Sequence, residues 1–373
     1  MRKPEKTLKN NHSNSYPIFL PIALILLLPL LGAAAAGKSL VPYLQFPPRT
    51  PIVVQPPFSW PVFIGLSLFI SASIAPLVLR YIRQKGATQK TAPANPFPWW
   101  GWAGAALGAV SWIIAWNRFS WVGDNLQAHT FTPLWISFII VANAFLHRKT
   151  GRSLLLSQTR GFLMLFPVSA LFWWSFEYLN RFLGNWRYAG GDIEFSAPEY
   201  ILFATLPFST VLPAVISIRE LIFSNKRFND AFQNWFCLSP PNSQAIALAA
   251  ILFSCIGLLG VGFAPNIVYS LVWVAPPLLL ISFSALLGKP QALSPIAKGD
   301  WRCFVASSFA ALFCGFFWEM WNSGSVTKWI YEVPYVDVLH IFEMPLLGYA
   351  GYLPFGILCA QIGNLILKSR GSD

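Results

Sequence analysis

Ten long apolar segments dominate the sequence and restrict what the chain can fold into. A helix needs about 20 mainly apolar residues to cross the roughly 30 Å hydrocarbon layer of a bilayer. Segments near this length lie at about 17–36, 60–79, 98–116, 131–147, 161–179, 200–218, 244–263, 268–288, 303–321 and 340–366. The sequence therefore predicts an all-α, polytopic transmembrane helical bundle with about ten spans.

The composition favours the same class of protein. Of the 373 residues, 55% are hydrophobic and only 11% are charged, whereas a soluble domain has about 25% charged residues. The net charge of +12 does not indicate nucleic-acid binding, because the basic residues are scattered between apolar segments. We expect the lipid bilayer as a partner and no nucleic acid, and the sequence does not determine the oligomeric state.

The positions of Lys and Arg predict the orientation, because basic residues accumulate in cytoplasmic connections. Six basic residues fall on one predicted side, namely Lys38, Arg49, Arg118, Arg181, Arg187 and Lys328. The rest of the 26 lie at the two termini and in or beside the alternate connections. We therefore expect a multi-pass protein of the cell (inner) membrane with both termini in the cytoplasm.

The predicted spans divide the chain into four parts. These are a basic cytoplasmic tail (1–16), four N-terminal spans (17–150), a first hairpin with its inner loop (151–242), and four last spans with a second hairpin (243–373). The first apolar segment follows a basic start and ends in AAAAG, as a signal peptide does. Its length favours a retained anchor, and a cleaved signal stays open as the alternative.

The two hairpins, spans five and six and spans nine and ten, share a series of residues. Each starts with an aromatic–Glu–x–x–Asn unit, containing Glu177 and Asn180 or Glu319 and Asn322. Each continues with Trp–x–Tyr, a Glu at the return and Leu–Pro–Phe, which gives Trp186, Tyr188, Glu199 and Pro207, and then Trp329, Tyr331, Glu343 and Pro354. This pattern predicts a duplicated hairpin, and a fainter copy without glutamate includes Asn117, Arg118 and Trp121.

The spacing within each unit has a physical meaning. Residues three apart on a helix share a face, and an intramembrane carboxyl usually faces the bundle interior with a partner. The Asn amide can donate a hydrogen bond to that carboxyl, and Arg181 or Arg187 could neutralise Glu177. Loss of water favours the neutral form of a carboxyl, which could then donate a proton. We expect an acidic, aromatic pocket in the outer half of the protein.

The same residues also have structural interpretations. The two glutamates could be inter-helix tethers or reach interfacial water, and Trp and Tyr are common interface anchors. Glu199 and Glu343 would begin returning helices, where the helix dipole favours a carboxylate. Gly348, Gly351 and Gly356 would allow the close approach of another helix or of an apolar ligand. Each pair of interpretations stays open.

The acid in an aromatic helix end, followed by Trp–x–aromatic and a return marked by Pro and Glu, resembles the heterodimeric-type integral-membrane lycopene cyclases. The resemblance covers spans five and six and spans nine and ten. It implies acid-initiated cyclisation of a linear polyene, with aromatic side chains stabilising carbocations. The matching residues are Glu177, Trp186 and Glu199, and then Glu319, Trp329 and Glu343. Where that family has Pro–x–Glu–acid, this chain has APEY and FEMP.

The first hypothesis is therefore a membrane enzyme acting by acid catalysis on an apolar isoprenoid or carotenoid lipid. Glu177, Glu319 and Glu343 would be the catalytic acids, and Asn180, Asn322, Trp186, Trp329, Tyr188, Tyr331 and Glu199 would bind the substrate. No cofactor or metal is predicted, because the five cysteines show no CxxC and no Cys/His ligand spacing. The alternatives are a transporter or channel for a small cation or proton, and a membrane assembly factor.

Overall fold

The computed structural model describes residues 19–47, 52–85, 94–117, 119, 121–189 and 196–367. The predicted tail 1–16, Arg118 and most of the linker that follows the second span lie outside these residues. The helices are α1 (Phe19–Ala35), α2 (Val41–Leu44), α3 (Trp60–Arg83), α4 (Trp99–Trp116), α5 (Asp124–Ala128), α6 (Phe131–Thr150), α7 (Leu154–Ser157), α8 (Thr159–Leu183), α9 (Ala197–Phe208), α10 (Val211–Phe223), α11 (Lys226–Phe232), α12 (Ser243–Phe263), α13 (Pro265–Val268), α14 (Leu271–Leu286), α15 (Arg302–Gly324) and α16 (Tyr352–Ile366).

Four short strands and two 3-10 helices complete the described part of the chain. The strands are β1 (Trp186–Ala189), β2 (Lys328–Tyr331), β3 (His340–Ile341) and β4 (Met344–Pro345), and the 3-10 helices are Ser294–Lys298 and Leu346–Gly351. β1 pairs with β2 and β3 pairs with β4, both antiparallel. The chain is thus mostly helical, as predicted, with two small sheets that the pattern did not predict.

Seven helical segments of the described chain are long and apolar enough to cross a membrane. They are Trp60–Arg83, Phe131–Thr150, Thr159–Leu183, Ala197–Phe223, Ser243–Phe263, Arg302–Gly324 and Leu346–Ile366, while α1 and α14 are apolar but shorter. These helices indicate a multi-pass membrane protein. Their lengths do not fix the number of crossings, so ten spans stays a prediction.

Two predicted spans have a different local structure. The segment predicted to span from 340 begins with the β3–β4 hairpin, and its helical part starts at Leu346. Leu339 and Phe342 have φ of 55° and 58°, and this left-handed conformation turns the chain back on itself. Glu343 lies in that hairpin turn and does not begin the returning helix, which corrects the prediction.

The sixth predicted span is interrupted where α9 ends and α10 begins. Pro207 lies in the last turn of α9, and proline supplies no backbone N–H for the helix. Ser169 of α8 bridges the interruption, because its hydroxyl donates to the Phe208 carbonyl (2.6 Å) and accepts from the Leu212 N–H (3.0 Å). The freed backbone groups are therefore satisfied inside the protein, as a hydrocarbon environment requires.

The core lies where α8, α10, α14, α15 and α16 meet, and α1 packs on α12. Close packing depends on small residues. At Gly356 a Cβ atom would collide with the Ser307 carbonyl oxygen of α15, so glycine permits the contact between α16 and α15. Helix α3 differs from the other long helices, because none of its residues is buried.

Candidate functional site

Glu177 lies in the second-last turn of α8 and is 1% exposed. Its Oε1 accepts hydrogen bonds from the indole N–H groups of Trp173 and Trp186, both at 3.1 Å. The Tyr188 hydroxyl donates to the same oxygen at 2.7 Å. A carboxyl removed from water needs such partners, and here aromatic side chains supply all three.

Asn180 fixes the backbone that follows α8. The helix ends just before Gly184, whose φ of 63° costs glycine less than any other residue. The Asn180 Oδ1 then accepts from the backbone N–H groups of Asn185 (2.9 Å) and Trp186 (3.3 Å), and its Nδ2 donates to the Trp186 carbonyl (2.7 Å). The amide therefore organises the start of β1 and thereby places Trp186 beside Glu177.

The corresponding residues at the end of α15 make a related arrangement. Glu319 is 0% exposed, and its Oε1 accepts from the hydroxyls of Tyr331 (2.8 Å) and Tyr352 (2.7 Å). The Trp329 indole N–H donates to the Tyr331 hydroxyl (2.9 Å). The other oxygen, Oε2, is buried without a hydrogen-bond partner among the described residues.

Asn322 repeats the role of Asn180. Its Oδ1 accepts from the Trp329 N–H (2.9 Å) and its Nδ2 donates to the Trp329 carbonyl (2.7 Å). In both hairpins the Asn thus orders the strand that holds the Trp–x–Tyr pair, and aromatic groups bind the carboxyl. The sequence predicted that each Glu and Asn share a helix face, but it did not predict this division of their hydrogen bonds.

The pairing of β1 with β2 brings the two hairpins together. Trp186 stands opposite Tyr331, and Tyr188 stands opposite Trp329. Because β1 belongs to the first hairpin and β2 to the second, each aromatic pair contains one residue from each hairpin. The side chains that bind Glu177 and those that bind Glu319 consequently form one continuous surface.

That surface encloses a cavity of about 510 Å³, a volume in the range of small-molecule sites. The lining residues are Ala128, His129, Phe131, Thr132, Pro133, Trp173, Trp186, Tyr188, Ala189, Tyr200, Phe203, Ala204, Leu206, Pro207, Phe208, Val211, Trp273, Trp318, Thr327, Trp329, Tyr331, Met344, Gly348, Gly351 and Tyr352. Most are aromatic or aliphatic. Glu177 and Glu319 are not in this lining, and their hydrogen-bond donors are.

The charged residues near the strands are paired with one another. Arg187 binds Glu332 (3.0 Å), and Lys328 binds Glu343. Arg187, which the sequence offered as a partner for Glu177, is therefore paired elsewhere. Arg181 is 5% exposed and its Nη1 donates to the Tyr43 carbonyl (2.6 Å).

Glu199 and Glu343, the other two predicted acids, have separate structural roles. Glu199 is exposed and accepts from the backbone N–H (2.9 Å) and the hydroxyl (2.6 Å) of Ser196, which forms a capping box at the start of α9. Neither Glu199 nor Glu343 is among the residues described as lining the cavity. Their positions do not support the predicted catalytic and substrate-binding roles.

The ionisable groups that line the cavity outside the helices are held in their neutral forms. Burial raises the pKa of the Tyr188 and Tyr331 hydroxyls well above the ordinary value, and the neighbouring glutamates act in the same direction. Burial lowers the pKa of His129, which stacks on Phe203 with ring centroids 3.5 Å apart. The described residues contain no group of three or more His, Cys, Asp or Glu arranged to hold a metal ion.

Sequence reasoning missed several residues of the site. Trp173 lies one turn before Glu177, so helical spacing alone could have identified it. Tyr352 belongs to the glycine-rich segment and was not predicted as a site residue, although its hydroxyl binds Glu319. His129, Trp273 and Trp318 come from other parts of the chain, and no local pattern connects them with the two hairpins.

Comparison of the chain with models of known protein families, with curated proteins and with solved structures found no match in any of the three. The function is therefore inferred from the arrangement of the site.

Proposed function

We propose that this protein is a membrane enzyme that binds an apolar isoprenoid or carotenoid lipid in the aromatic cavity and acts on it by acid catalysis. The observation that supports this most directly is that two buried carboxyls contact one shared cavity through phenol groups. Tyr188 reaches Glu177, while Tyr331 and Tyr352 reach Glu319. A proton held on either carboxyl thus has a hydrogen-bonded path to a ligand.

The lining suits the intermediate that such chemistry forms. Protonation of a polyene double bond creates a carbocation, and the faces of Trp and Tyr rings attract positive charge. Trp186, Trp273 and Trp318 are among the residues that line the cavity. Loss of a proton from a neighbouring carbon would then complete an isomerisation or a cyclisation without a cofactor.

The composition of the lining also favours a neutral lipid. No Lys or Arg is among the lining residues in the described part of the chain, and phosphate groups in proteins are usually bound by such side chains. The polar side-chain groups of the lining are hydroxyls, indole N–H groups and one imidazole. These suit a hydrocarbon or a lipid with a hydroxyl end more than a lipid diphosphate.

The proposal includes a topology of ten spans with both termini inside, in the cell (inner) membrane, and an origin of the two hairpins by duplication. The β1–β2 pairing requires that the ends of α8 and α15 lie on one side of the bilayer, which agrees with the four predicted spans, six to nine, that separate these two ends. The positive-inside rule places that side outside. The matching roles of Asn180 and Asn322 support the duplication.

A carrier for a small cation is the second candidate, because aromatic faces backed by carboxyls also attract amines and other small cations. A carrier would move the cation across the bilayer, whereas an enzyme would convert the lipid into a product. Purified protein in liposomes with a pH-sensitive dye inside separates the two. Proton-coupled flux that disappears in the Glu319→Gln variant would favour the carrier.

The direct test of the enzyme uses purified protein in nanodiscs supplied with an acyclic carotenoid-length polyene, followed by chromatography and mass spectrometry. We expect an isomeric product with wild type and with Glu332→Gln, a control whose carboxyl pairs with Arg187 away from the cavity. Glu319→Gln should form at least about 100-fold less product, the lower range for loss of a general acid. Equal conversion by Glu319→Gln would contradict the proposal.

A further inference from the structure

We propose that the two buried glutamates differ in charge, so that Glu319 holds the proton delivered to the ligand and Glu177 is the ionised counter-charge. Tyr352 passes the proton from Glu319 into the cavity. This inference rests on the proposed function and assigns different tasks to two residues that the sequence pattern makes look equivalent.

The surroundings of Glu177 favour a carboxylate. Its Oε1 receives three hydrogen bonds, two from indole N–H groups and one from a phenol. An indole N–H can only donate, so both Trp173 and Trp186 require an acceptor at this position. Hydrogen bonds to the charged form stabilise it.

The nearest charges favour the same state. Arg181 lies one turn further along α8 and interacts electrostatically with Glu177. The Arg181 guanidinium is 5% exposed and donates to the Tyr43 carbonyl (2.6 Å), so water screens its attraction for Glu177 only weakly. Tyr188 and Tyr200 are the other titratable groups that interact with Glu177, and both are neutral phenols.

The surroundings of Glu319 favour a neutral acid. Both of its hydrogen bonds come from phenols, which can donate or accept. The Trp186 indole donates directly to Glu177 at 3.1 Å, whereas the Trp329 indole donates to the Tyr331 hydroxyl at 2.9 Å and has only a weaker, secondary interaction with Glu319. The buried Oε2 has no partner in the described chain, and an ionised oxygen without a partner is far more costly to bury than a neutral one.

No described cation compensates Glu319. The charged group that interacts with it is Glu343, whose own partner is Lys328. Tyr331, Tyr349 and Tyr352 are the titratable neighbours from the other elements packed against it. Glu177 thus has a cation on its own helix, whereas the charged group that acts on Glu319 is a carboxylate already paired with Lys328.

The proton path follows from the contact of Tyr352. Its hydroxyl lies 2.7 Å from the Glu319 Oε1, and its side chain lines the cavity. With Glu319 neutral, the carboxyl O–H donates to the Tyr352 oxygen, and Tyr352 donates its own hydrogen to a ligand carbon. Glu319 becomes a carboxylate and the ligand a carbocation, while Tyr352 is unchanged. The reverse transfer from a neighbouring ligand carbon restores Glu319.

Infrared spectroscopy of the resting protein without substrate tests the charge assignment. A protonated carboxyl absorbs at a C=O stretching frequency separate from that of a carboxylate. We expect a protonated-carboxyl band that disappears in Glu319→Gln and persists in Glu177→Gln. Loss of the band in Glu177→Gln only, in both variants or in neither would overturn the assignment.

Two phenol variants make the same test independent of changes in the glutamates. Tyr352→Phe removes a hydrogen bond to Glu319 and should shift the protonated-carboxyl band, whereas Tyr188→Phe should leave it in place. The opposite pattern would assign the proton to Glu177. If Glu177→Gln does not fold, the wild-type, Glu319→Gln and phenol-variant spectra still decide the question.

Thermal unfolding in detergent provides a second measurement. Gln resembles a neutral acid in shape and charge, so Glu319→Gln should unfold near the wild-type temperature, and Glu177→Gln should unfold at a lower one. The reverse order would contradict the inference. Because none of these measurements needs turnover, they can fail while the protein converts a polyene, and they can succeed while it does not.

Discussion

Trp186 and Tyr331 stand opposite each other on the antiparallel strands β1 and β2, and each binds the buried glutamate of its own hairpin. This single pairing connects the ends of α8 and α15. It also means that the indole of one hairpin and the phenol of the other are neighbours at the cavity wall. A change in the register of the strands would separate the two groups of donors, so the site depends on the pairing.

The first prediction concerns Tyr352, whose hydroxyl binds Glu319 inside the protein. Tyr352→Phe keeps the ring and removes the proton path, so polyene conversion should fall at least about 100-fold. Tyr349→Phe is the matched control, because the Tyr349 hydroxyl donates to the exposed Ile341 carbonyl. Chromatographic product assays compare the two variants. Equal losses would show that the proton does not pass through Tyr352.

The second prediction concerns the amides that order the strands. Asn180 is fully buried and hydrogen-bonded to the backbone at both ends of its amide. Asn180→Ala should lower the free energy of unfolding by about 1–3 kcal/mol, because buried backbone groups lose their partners. Asn117→Ala, at an exposed helix end, should have a smaller effect. Chemical denaturation in detergent micelles measures both.

The third prediction concerns Gly184 at the end of α8. Gly184→Ala should destabilise the protein by about 1 kcal/mol through its positive φ and by more through contact with Val53, whose Cγ2 would lie 3.0 Å from the new Cβ. Gly288 has the same φ of 63°, and a Cβ added there would meet no atom within 4 Å. Gly288→Ala therefore isolates the backbone contribution. If thermal unfolding gives both variants the same midpoint temperature, the contact with Val53 does not contribute to the loss of stability.

The fourth prediction concerns the interruption between α9 and α10. Ser169→Ala removes the bridge between the Phe208 carbonyl and the Leu212 N–H, and should cost about 1–3 kcal/mol in unfolding free energy. Ser254 is equally buried, but its hydroxyl only donates to the Ala250 carbonyl of its own helix. Ser254→Ala should be nearly neutral. A stability loss of equal size in both would show that burial, and not the bridge, is what matters.

The local sequence pattern was sufficient to predict most of the helices and part of the site. A run of about 20 apolar residues has to satisfy its backbone internally in lipid, which favours a helix, and most of the predicted spans are helical over most of their length. Helical spacing likewise placed Glu177 with Asn180, and Glu319 with Asn322, on shared faces. All four residues are buried, as that spacing and the scarcity of charge suggested.

The same reasoning was right for Glu199, which lies in the first turn of the returning helix α9, and wrong for Glu343, where a short hairpin replaces the helix start. Glu343 was expected to begin a helix, but positive φ at Leu339 and Phe342 turns the chain into a hairpin. Glu199 has the spacing of a capping box with Ser196, and the local hydrogen bonds use the carboxylate at the exposed start of α9. Glu199 and Glu343 thus occupy corresponding positions in the sequences of the two hairpins but have different surroundings in the structure.

By itself the sequence determined an apolar helical bundle and two acidic, aromatic helix ends, because those features depend on residues within a few turns of one another. Only the tertiary structure decided that the two ends share one cavity and that Tyr352 joins Glu319. These features depend on backbone pairing and packing between segments far apart in the chain, and no spacing along one helix encodes them.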